Sequence, residues 1–151
     1  MRTRARIIGL GQAAAGDDGV GLAVLEWLQA RGVPPDIEVV RASDDSALVH
    51  LLDTDVPVVL VDAVLQRPTG EVLELTAEEL ATRHLVPITT HGMGVGQAIA
   101  LARLLAGGIS PSIRIVAVSI ARPRRYHQHL SARVAAAVPH AARRVLALAG
   151  E

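Results

Sequence analysis

Short apolar runs alternate along the chain with longer segments of helical periodicity. Runs rich in valine and isoleucine that end at glycine, proline or a charged residue are typical of buried strands. Segments in which apolar residues recur every three or four positions are typical of helices that pack one face against a sheet. The pattern predicts strands at Arg6–Leu10, Ile37–Val40, Pro57–Asp62, Glu71–Leu75 and Ile113–Val118.

Capping and breaking residues mark the predicted helices between these strands. Thr76 and Glu79 form a Thr-x-x-Glu capping box, which favours a helix start. Pro139 removes a helix hydrogen bond, so we expect it to kink or split the last helix. The predicted helices are Gly19–Gly32, Ala47–Leu52, one that opens at Thr76, Gly92–Leu105 and Ser131–Ala149. One face of the fourth helix carries Ala98, Leu101, Ala102 and Leu105.

The order of these elements predicts the fold. Strands that alternate with helices favour a largely parallel sheet with helices on both faces. Pro57–Asp62 is the most continuous apolar run, and we expect it at the centre of the sheet. Glu71–Leu75 alternates between apolar and polar residues, which favours a half-exposed strand at an edge. The length of 151 residues fits one domain, residues 1–151, with its own core.

Composition narrows the possible functions. Lys plus Arg number 15 and Asp plus Glu number 15, so no net charge draws the protein to nucleic acid or to a membrane. No apolar stretch reaches the length of a membrane-spanning helix. Met1–Gly16 imitates a signal peptide, but its apolar centre is too short, so we expect a cytoplasmic protein. The absence of cysteine excludes thiolate metal sites and cysteine nucleophiles.

Candidate functional side chains follow the predicted strands, where ligands bind in parallel sheets. They are Asp17 and Asp18 in the glycine-rich loop after the first strand, Asp62 at the end of the central strand, and His91 before the fourth helix. A carboxylate that ends a wholly apolar strand needs a partner to offset its desolvation, which singles out Asp62. We expect Asp17 to cap a helix or to support a neighbouring ligand, whereas Asp18 fits capping and ligation equally. A histidine in a glycine-rich turn is more often structural than a ligand, so His91 gains weight only if the three side chains converge.

Convergence of these side chains would create a metal site. Asp18, Asp62 and His91 would offer two oxygens and one nitrogen, a set that suits a divalent metal such as nickel or zinc. The chain has neither the nucleophile elbow of a serine hydrolase nor the His-Glu-x-x-His helix of a zinc protease. Hydrolysis at such a site would use a metal-polarised carbonyl or a metal-bound water.

The glycine-rich loop has an alternative interpretation. Gly9-Leu10-Gly11-Gln12-Ala13-Ala14 satisfies a dinucleotide-binding fingerprint after a strand. However, Asp17 and Asp18 would then place negative charge at the helix start where a pyrophosphate binds. A dinucleotide-binding protein is therefore the weaker hypothesis.

The candidate residues lie in short motifs that span most of the chain. The motifs are Ile8–Gly11, Gly16–Gly21, Val61–Val64, Thr90–Gly94, and the closing Leu130–Ser131 with Ala137–Pro139. In these motifs and their order the chain resembles the hydrogenase maturation endopeptidases, which remove a C-terminal extension from the nickel-loaded large subunit of nickel-iron hydrogenases. The resemblance implies an α/β fold, a three-layer α/β/α sandwich with a central, mostly parallel sheet of about five strands.

The resemblance also implies a site and a substrate. Asp18, Asp62 and His91 take the positions of the family's metal-binding and catalytic residues. The metal is the nickel that the precursor already holds, and no organic cofactor is expected. The implied partner is a hydrogenase large-subunit precursor, with no nucleic acid and no membrane; the oligomeric state, a monomer included, stays open. Ligands that bind only the metal-loaded precursor would let the protease act on the correct state alone.

The chain departs from the family pattern at several positions. Gln12 replaces a common Asn, and Arg41–Asp44 replaces a common Asp-Gly-Gly-Thr. Ser119 stands where a glycine is frequent, and the chain from there to His129 includes a basic stretch. These departures leave a second hypothesis, a non-catalytic, metal-dependent binding or chaperone protein that acts on another partner.

Overall fold

A five-stranded sheet covered by helices forms the fold. The computed structural model describes residues 2–11, 16–82, 95–106, 111–122 and 129–151. The strands are β1 (Ala5–Gly9), β2 (Ile37–Arg41), β3 (Val58–Leu65), β4 (Val72–Thr76) and β5 (Ile113–Ile120). The helices are α1 (Val20–Arg31), α2 (Asp45–Leu51), α3 (Ala77–Thr82), α4 (Val95–Leu105) and α5 (Ala132–Ala149), and a 3₁₀ turn at Gly16–Gly19 precedes α1.

The strand order of the sheet is β2-β1-β3-β5-β4. β1, β2, β3 and β5 run parallel, whereas β4 pairs with β5 in the antiparallel direction. β3 lies at the centre and β4 at an edge, so both predicted positions are confirmed. The chain moves from β1 outward to β2 and then returns to the other side of β1 for β3. The order therefore reverses between β1 and β3, which is where ligands bind in sheets of this kind.

Apolar side chains fill two cores, one on each face of the sheet. Along β3, Val59 and Val61 point into one core, while Val58 and Leu60 point into the other. The first core packs α1 and α5 against the sheet, and the second packs α2, α3 and α4. The predicted three-layer sandwich is thus confirmed. None of the helices in the described part of the chain is long and apolar enough to cross a membrane.

Two helices differ from the prediction. α5 continues through Pro139 as one helix of 18 residues, so the proline does not split it. Pro139 cannot donate to the carbonyl of Ala135, but Ala135 is exposed and water can bond that oxygen. In α4 the buried residues are Ala98, Ile99 and Ala102, whereas Leu101 and Leu105 are 37% and 71% exposed.

The two longest strands extend beyond their predicted ends. β3 and β5 pair along their full lengths, from Val58 opposite Ile113 to Leu65 opposite Ile120. β1 stops earlier, at Gly9, which lies opposite Val61. Asp62 therefore belongs to β3 and is the first residue of that strand beyond the end of β1.

Gly21 brings the start of α1 close to the ends of β1 and β3. A methyl group at this position would overlap the carbonyl oxygens of Leu10 and Val61, with Val61 O only 2.8 Å away. The Leu10 N–H also donates to Val61 O, at 2.9 Å. Because only glycine permits this approach, Gly21 holds the first turn of α1 against the carboxyl end of β3.

We expect Gly21→Ala to destabilise the protein by about 2 kcal/mol, because backbone oxygens cannot move aside as a flexible side chain can. Gly96→Ala in α4 is the matched control, since nothing lies within 4 Å of the methyl group that it adds. That control should be neutral or stabilising by up to about 1 kcal/mol. Urea unfolding of both variants measures the difference, and equal stabilities would contradict the described contact.

Candidate functional site

Asp62 lies on β3 just beyond the carboxyl end of β1, at the crevice between these two strands. It follows Val61, the last residue of β3 that pairs with β1, so no strand covers it on that side. Its side chain is half-buried, and its Oδ1 accepts a hydrogen bond from the N–H of Ala63 at 2.8 Å. The fold thus places a carboxylate at the point where the strand order reverses.

Asp18 lies in the 3₁₀ turn that leads into α1, and it is 7% exposed. Gly11 crosses directly over it, because a methyl group on Gly11 would overlap the carbonyl oxygen of Asp18. Gly11 has a φ of 118°, a conformation that L side chains rarely adopt. The conformation of Gly11 therefore allows the chain just after β1 to lie against the backbone of Asp18.

The carboxylates of Asp18 and Asp62 are close enough to interact electrostatically. Burial raises the pKa of Asp62 from 3.8 to about 7, and the negative charge of Asp18 contributes to the increase. The hydrogen bond from Ala63 opposes the shift but does not cancel it. A buried carboxylate beside a second one favours its neutral form unless a cation joins the pair. The structure thus brings together the two acidic members of the predicted set.

Asp45, in the first turn of α2, is an acidic neighbour that the sequence interpretation missed. Its charge is a further cause of the raised pKa of Asp62. The preceding residue, Asp44, caps the helix by accepting a hydrogen bond from the Ala47 N–H at 2.7 Å. β2 lies next to β1, so the loop after β2 reaches the same edge of the sheet as Asp62. The position of Asp45 after a strand was the signal available in the sequence.

His91 lies outside the described residues, as does the rest of the motif from Thr90 to Gly94. Its predicted place in the site stays a prediction. Within the described ranges, no three histidine, aspartate or glutamate side chains form a group that could hold a metal ion. A metal ion held by Asp18 and Asp62 would need its third ligand from another part of the chain or from the substrate.

Asp17 caps a helix, but not the one that follows it. Its Oδ1 accepts a hydrogen bond from the backbone N–H of Ser131 at 2.6 Å, and its Oδ2 accepts one from the Ser131 hydroxyl at 2.8 Å. Ser131 is the N-cap residue of α5, and its own side chain does not cap that helix. Local spacing could not have predicted this partner, which is 114 residues away along the chain.

Ser119, one of the departures from the family pattern, has a structural role. It is fully buried in β5, and its hydroxyl donates to the Pro68 carbonyl at 2.7 Å and accepts from the Glu71 N–H at 2.9 Å. The Gly70 N–H donates to the carbonyl of Ser119 at 2.8 Å. These bonds fix the turn between β3 and β4. Most of the basic stretch that follows, residues 123–128, lies outside the described residues.

A cavity of about 310 Å³ lies between α2 and α4, apart from the acidic pair. Among the described residues, the large hydrophobic side chains that are exposed all lie on α4: Leu101, Leu104 and Leu105. The cavity is lined by Ser46, Val49, His50, Asp53, Leu101, Ala102 and Leu105. Because neither Asp18 nor Asp62 lines it, this cavity is not the predicted metal site.

Comparison with known proteins identifies the family. A profile of the hydrogenase maturation protease family, HycI, matches residues 22–148 of the chain. The chain therefore belongs to the hydrogenase maturation protease family, whose members are endopeptidases that process the C-terminus of hydrogenase large subunits. No protein among those with curated functions matches the sequence significantly.

Solved structures of hydrogenase maturation proteases share the fold. The maturating endopeptidase HybD from Escherichia coli superposes with a TM-score of 0.78 at 23% identity, over 98% of this chain and 91% of that one. HybD from Thermococcus kodakarensis gives 0.74 at 24% identity, over 99% of both chains. HycI from Thermococcus kodakarensis KOD1 gives 0.73 at 20% identity, over 99% of this chain and 94% of that one. The whole described architecture is thus that of the family.

The raised pKa of Asp62 makes the stability of the protein depend on pH. Between pH 3.8, where an ordinary aspartate titrates, and about pH 7, the folded state holds a proton that the unfolded state has lost. The free energy of unfolding should therefore fall as the pH rises through this window. Asp62→Asn, which stays neutral, should not show that component of the decline.

Urea unfolding of the protein and of Asp62→Asn at several pH values between 4 and 8 measures the difference, with a chelator present to exclude metal ions. We expect the wild-type protein to lose stability relative to Asp62→Asn as the pH rises. Parallel stability profiles would show that Asp62 titrates at its ordinary pKa.

Proposed function

We propose that the protein cleaves the C-terminal extension from a nickel-loaded hydrogenase large-subunit precursor, and that Asp18, Asp62 and His91 bind the nickel of that precursor. The observation that carries the proposal is the pairing of the buried Asp18 with the half-buried Asp62 at the crevice between β1 and β3. Membership of the hydrogenase maturation protease family supports the protease activity. The acidic pair supports recognition of a metal, because two neighbouring carboxylates favour a substrate that presents a cation.

A divalent cation would stabilise the charged form of the acidic pair. Burial and the charge of Asp18 disfavour an ionised Asp62, and a cation between the two carboxylates would offset both effects. Asp62 would lose its proton on binding, so recognition of the metal should weaken in acid. The two oxygens, with the imidazole nitrogen of His91, form a donor set that nickel accepts.

Recognition of a metal that belongs to the substrate would make cleavage selective. The pair contributes metal-binding energy only when the precursor presents a cation, because an empty precursor offers the two carboxyl groups nothing to coordinate. The protease would therefore act after metal insertion and not before. Asp45 would add negative charge at the edge of the same crevice and so strengthen the preference for a cationic target.

The dinucleotide-binding hypothesis does not fit the surroundings of Asp18. This side chain is buried at the start of α1, where a bound dinucleotide would place its pyrophosphate. Two negative groups would then share one helix terminus.

We expect Asp62→Ala and His91→Ala to abolish processing and to leave the protein folded, because each removes one of the proposed nickel ligands. The assay incubates purified protein with nickel-loaded precursor and measures the mass of the large subunit. Asp55→Ala and His140→Ala are matched controls, since both side chains are exposed and lie away from the crevice, and they should process at the wild-type rate.

Two results would change the assignment. Full processing by the His91 variant would remove that residue from the site. A wild-type protein that binds the nickel-loaded precursor without shortening it would instead support the non-catalytic chaperone hypothesis.

A further inference from the structure

A pair of hydrogen bonds joins the loop that carries Asp18 to the start of the last helix. The carboxylate of Asp17 accepts from both the N–H and the hydroxyl of Ser131, at 2.6 and 2.8 Å. Both donors belong to the N-cap residue of α5, so the negative charge of Asp17 also lies at the positive end of an 18-residue helix. We refer to these two bonds as the Asp17–Ser131 clasp.

The helix end that the clasp uses is anchored to the sheet. Gly70 lies against the first turn of α5, because a methyl group on it would come within 2.8 Å of the Arg133 carbonyl oxygen. Gly70 in turn donates to the carbonyl of Ser119, which is fully buried in β5. The clasp therefore connects the loop to a part of the molecule that cannot shift without disturbing the core.

Asp18 follows Asp17 directly in the same 3₁₀ turn. On its other side, the backbone of Gly11 lies against the carbonyl of Asp18. The turn is thus held between Gly11 and the start of α5, and loss of the Asp17 bonds would release it on the α5 side. Groups that orient a metal ligand influence metal affinity even when they do not touch the metal.

We propose that Asp17 is a positioning residue, which acts through its clasp with Ser131 to aim the Asp18 carboxylate at the metal. This inference rests on the proposed function, because it assumes that Asp18 binds the nickel of the precursor. It chooses between the two roles that the sequence left open for Asp17, which are capping a helix and supporting a neighbouring ligand. A cap alone predicts that Asp17→Ala lowers stability and spares activity.

Two measurements on a set of variants test the clasp: the affinity for nickel chloride by calorimetry, and the rate of precursor processing. Asp17→Ala should lower both by about 10- to 100-fold. Asp17→Asn should retain most of both, because its amide can accept from the N–H of Ser131 and donate to the hydroxyl oxygen. Ser131→Ala should cause a smaller loss, since its N–H bond to Asp17 remains.

A control and a double variant separate positioning from general destabilisation. Asp36→Ala removes a carboxylate that pairs with Arg4 at 2.8 Å before β2, at the opposite end of the sheet, and it should bind nickel and process normally. Asp17→Ala combined with Ser131→Ala should be no worse than Asp17→Ala alone, because both changes break the same clasp.

The outcomes distinguish the clasp from the proposed function. The positioning role is overturned if the Asp17→Ala variant is less stable but binds nickel and processes the precursor as the wild type does. It is also overturned if Asp17→Asn loses as much nickel affinity and processing as Asp17→Ala. If the wild-type protein binds nickel but does not shorten the precursor, the proposed function fails. The nickel affinities of the variants then decide whether the clasp positions Asp18. If the wild-type protein processes the precursor without binding free nickel, the processing rates of the variants decide whether the clasp positions Asp18. A wild-type protein that does neither overturns both proposals, because Asp18 then has no metal to meet.

Discussion

The position of a carboxylate, Asp62, on the central strand of an aliphatic sheet is the constraint on which the rest of the site depends. β3 is covered on both faces by apolar side chains, and at Asp62 it passes the end of β1 and meets the crevice. There the chain presents a carboxylate beside the buried Asp18, at a pKa of about 7. A structural aspartate would be expected to have a cation or several donors as partners. A carboxylate whose charged form is disfavoured in the free protein is instead suited to recognise a cation that arrives with the substrate.

Close contacts between distant segments set the geometry of this pair. Gly21 allows α1 to reach the carbonyl of Val61, and Gly11 lies against the backbone of Asp18. Asp17 then connects the 3₁₀ turn that carries Asp18 to α5 through Ser131. Asp17 and Gly21, which hold the backbone in place, are therefore close in sequence to Asp18, the proposed metal ligand.

The sequence predicted the layers of the fold from local patterns, and it predicted the acidic pair because Asp18 and Asp62 both follow apolar runs typical of parallel strands. The apolar run before Asp62 indicated a central strand, and a carboxylate at its end indicated a site. The features it missed depend on long-range contacts. β3 continues to Leu65 because β5 pairs with it beyond the end of β1. α5 continues through Pro139, and the residue whose carbonyl loses its helix partner there, Ala135, is exposed. The partner of Asp17 is the N-cap of a distant helix, and the charge of Asp45 acts on Asp62 from the first turn of α2, after β2.

The central claim is that side chains of the protease enter the coordination sphere of the precursor's nickel. X-ray absorption at the nickel edge tests it directly, with the nickel-loaded precursor measured alone and frozen rapidly after mixing with the protease. The account predicts additional oxygen and nitrogen neighbours in the complex, and an imidazole contribution that is missing with His91→Ala. A nickel shell that stays unchanged in a complex that has demonstrably formed would contradict it.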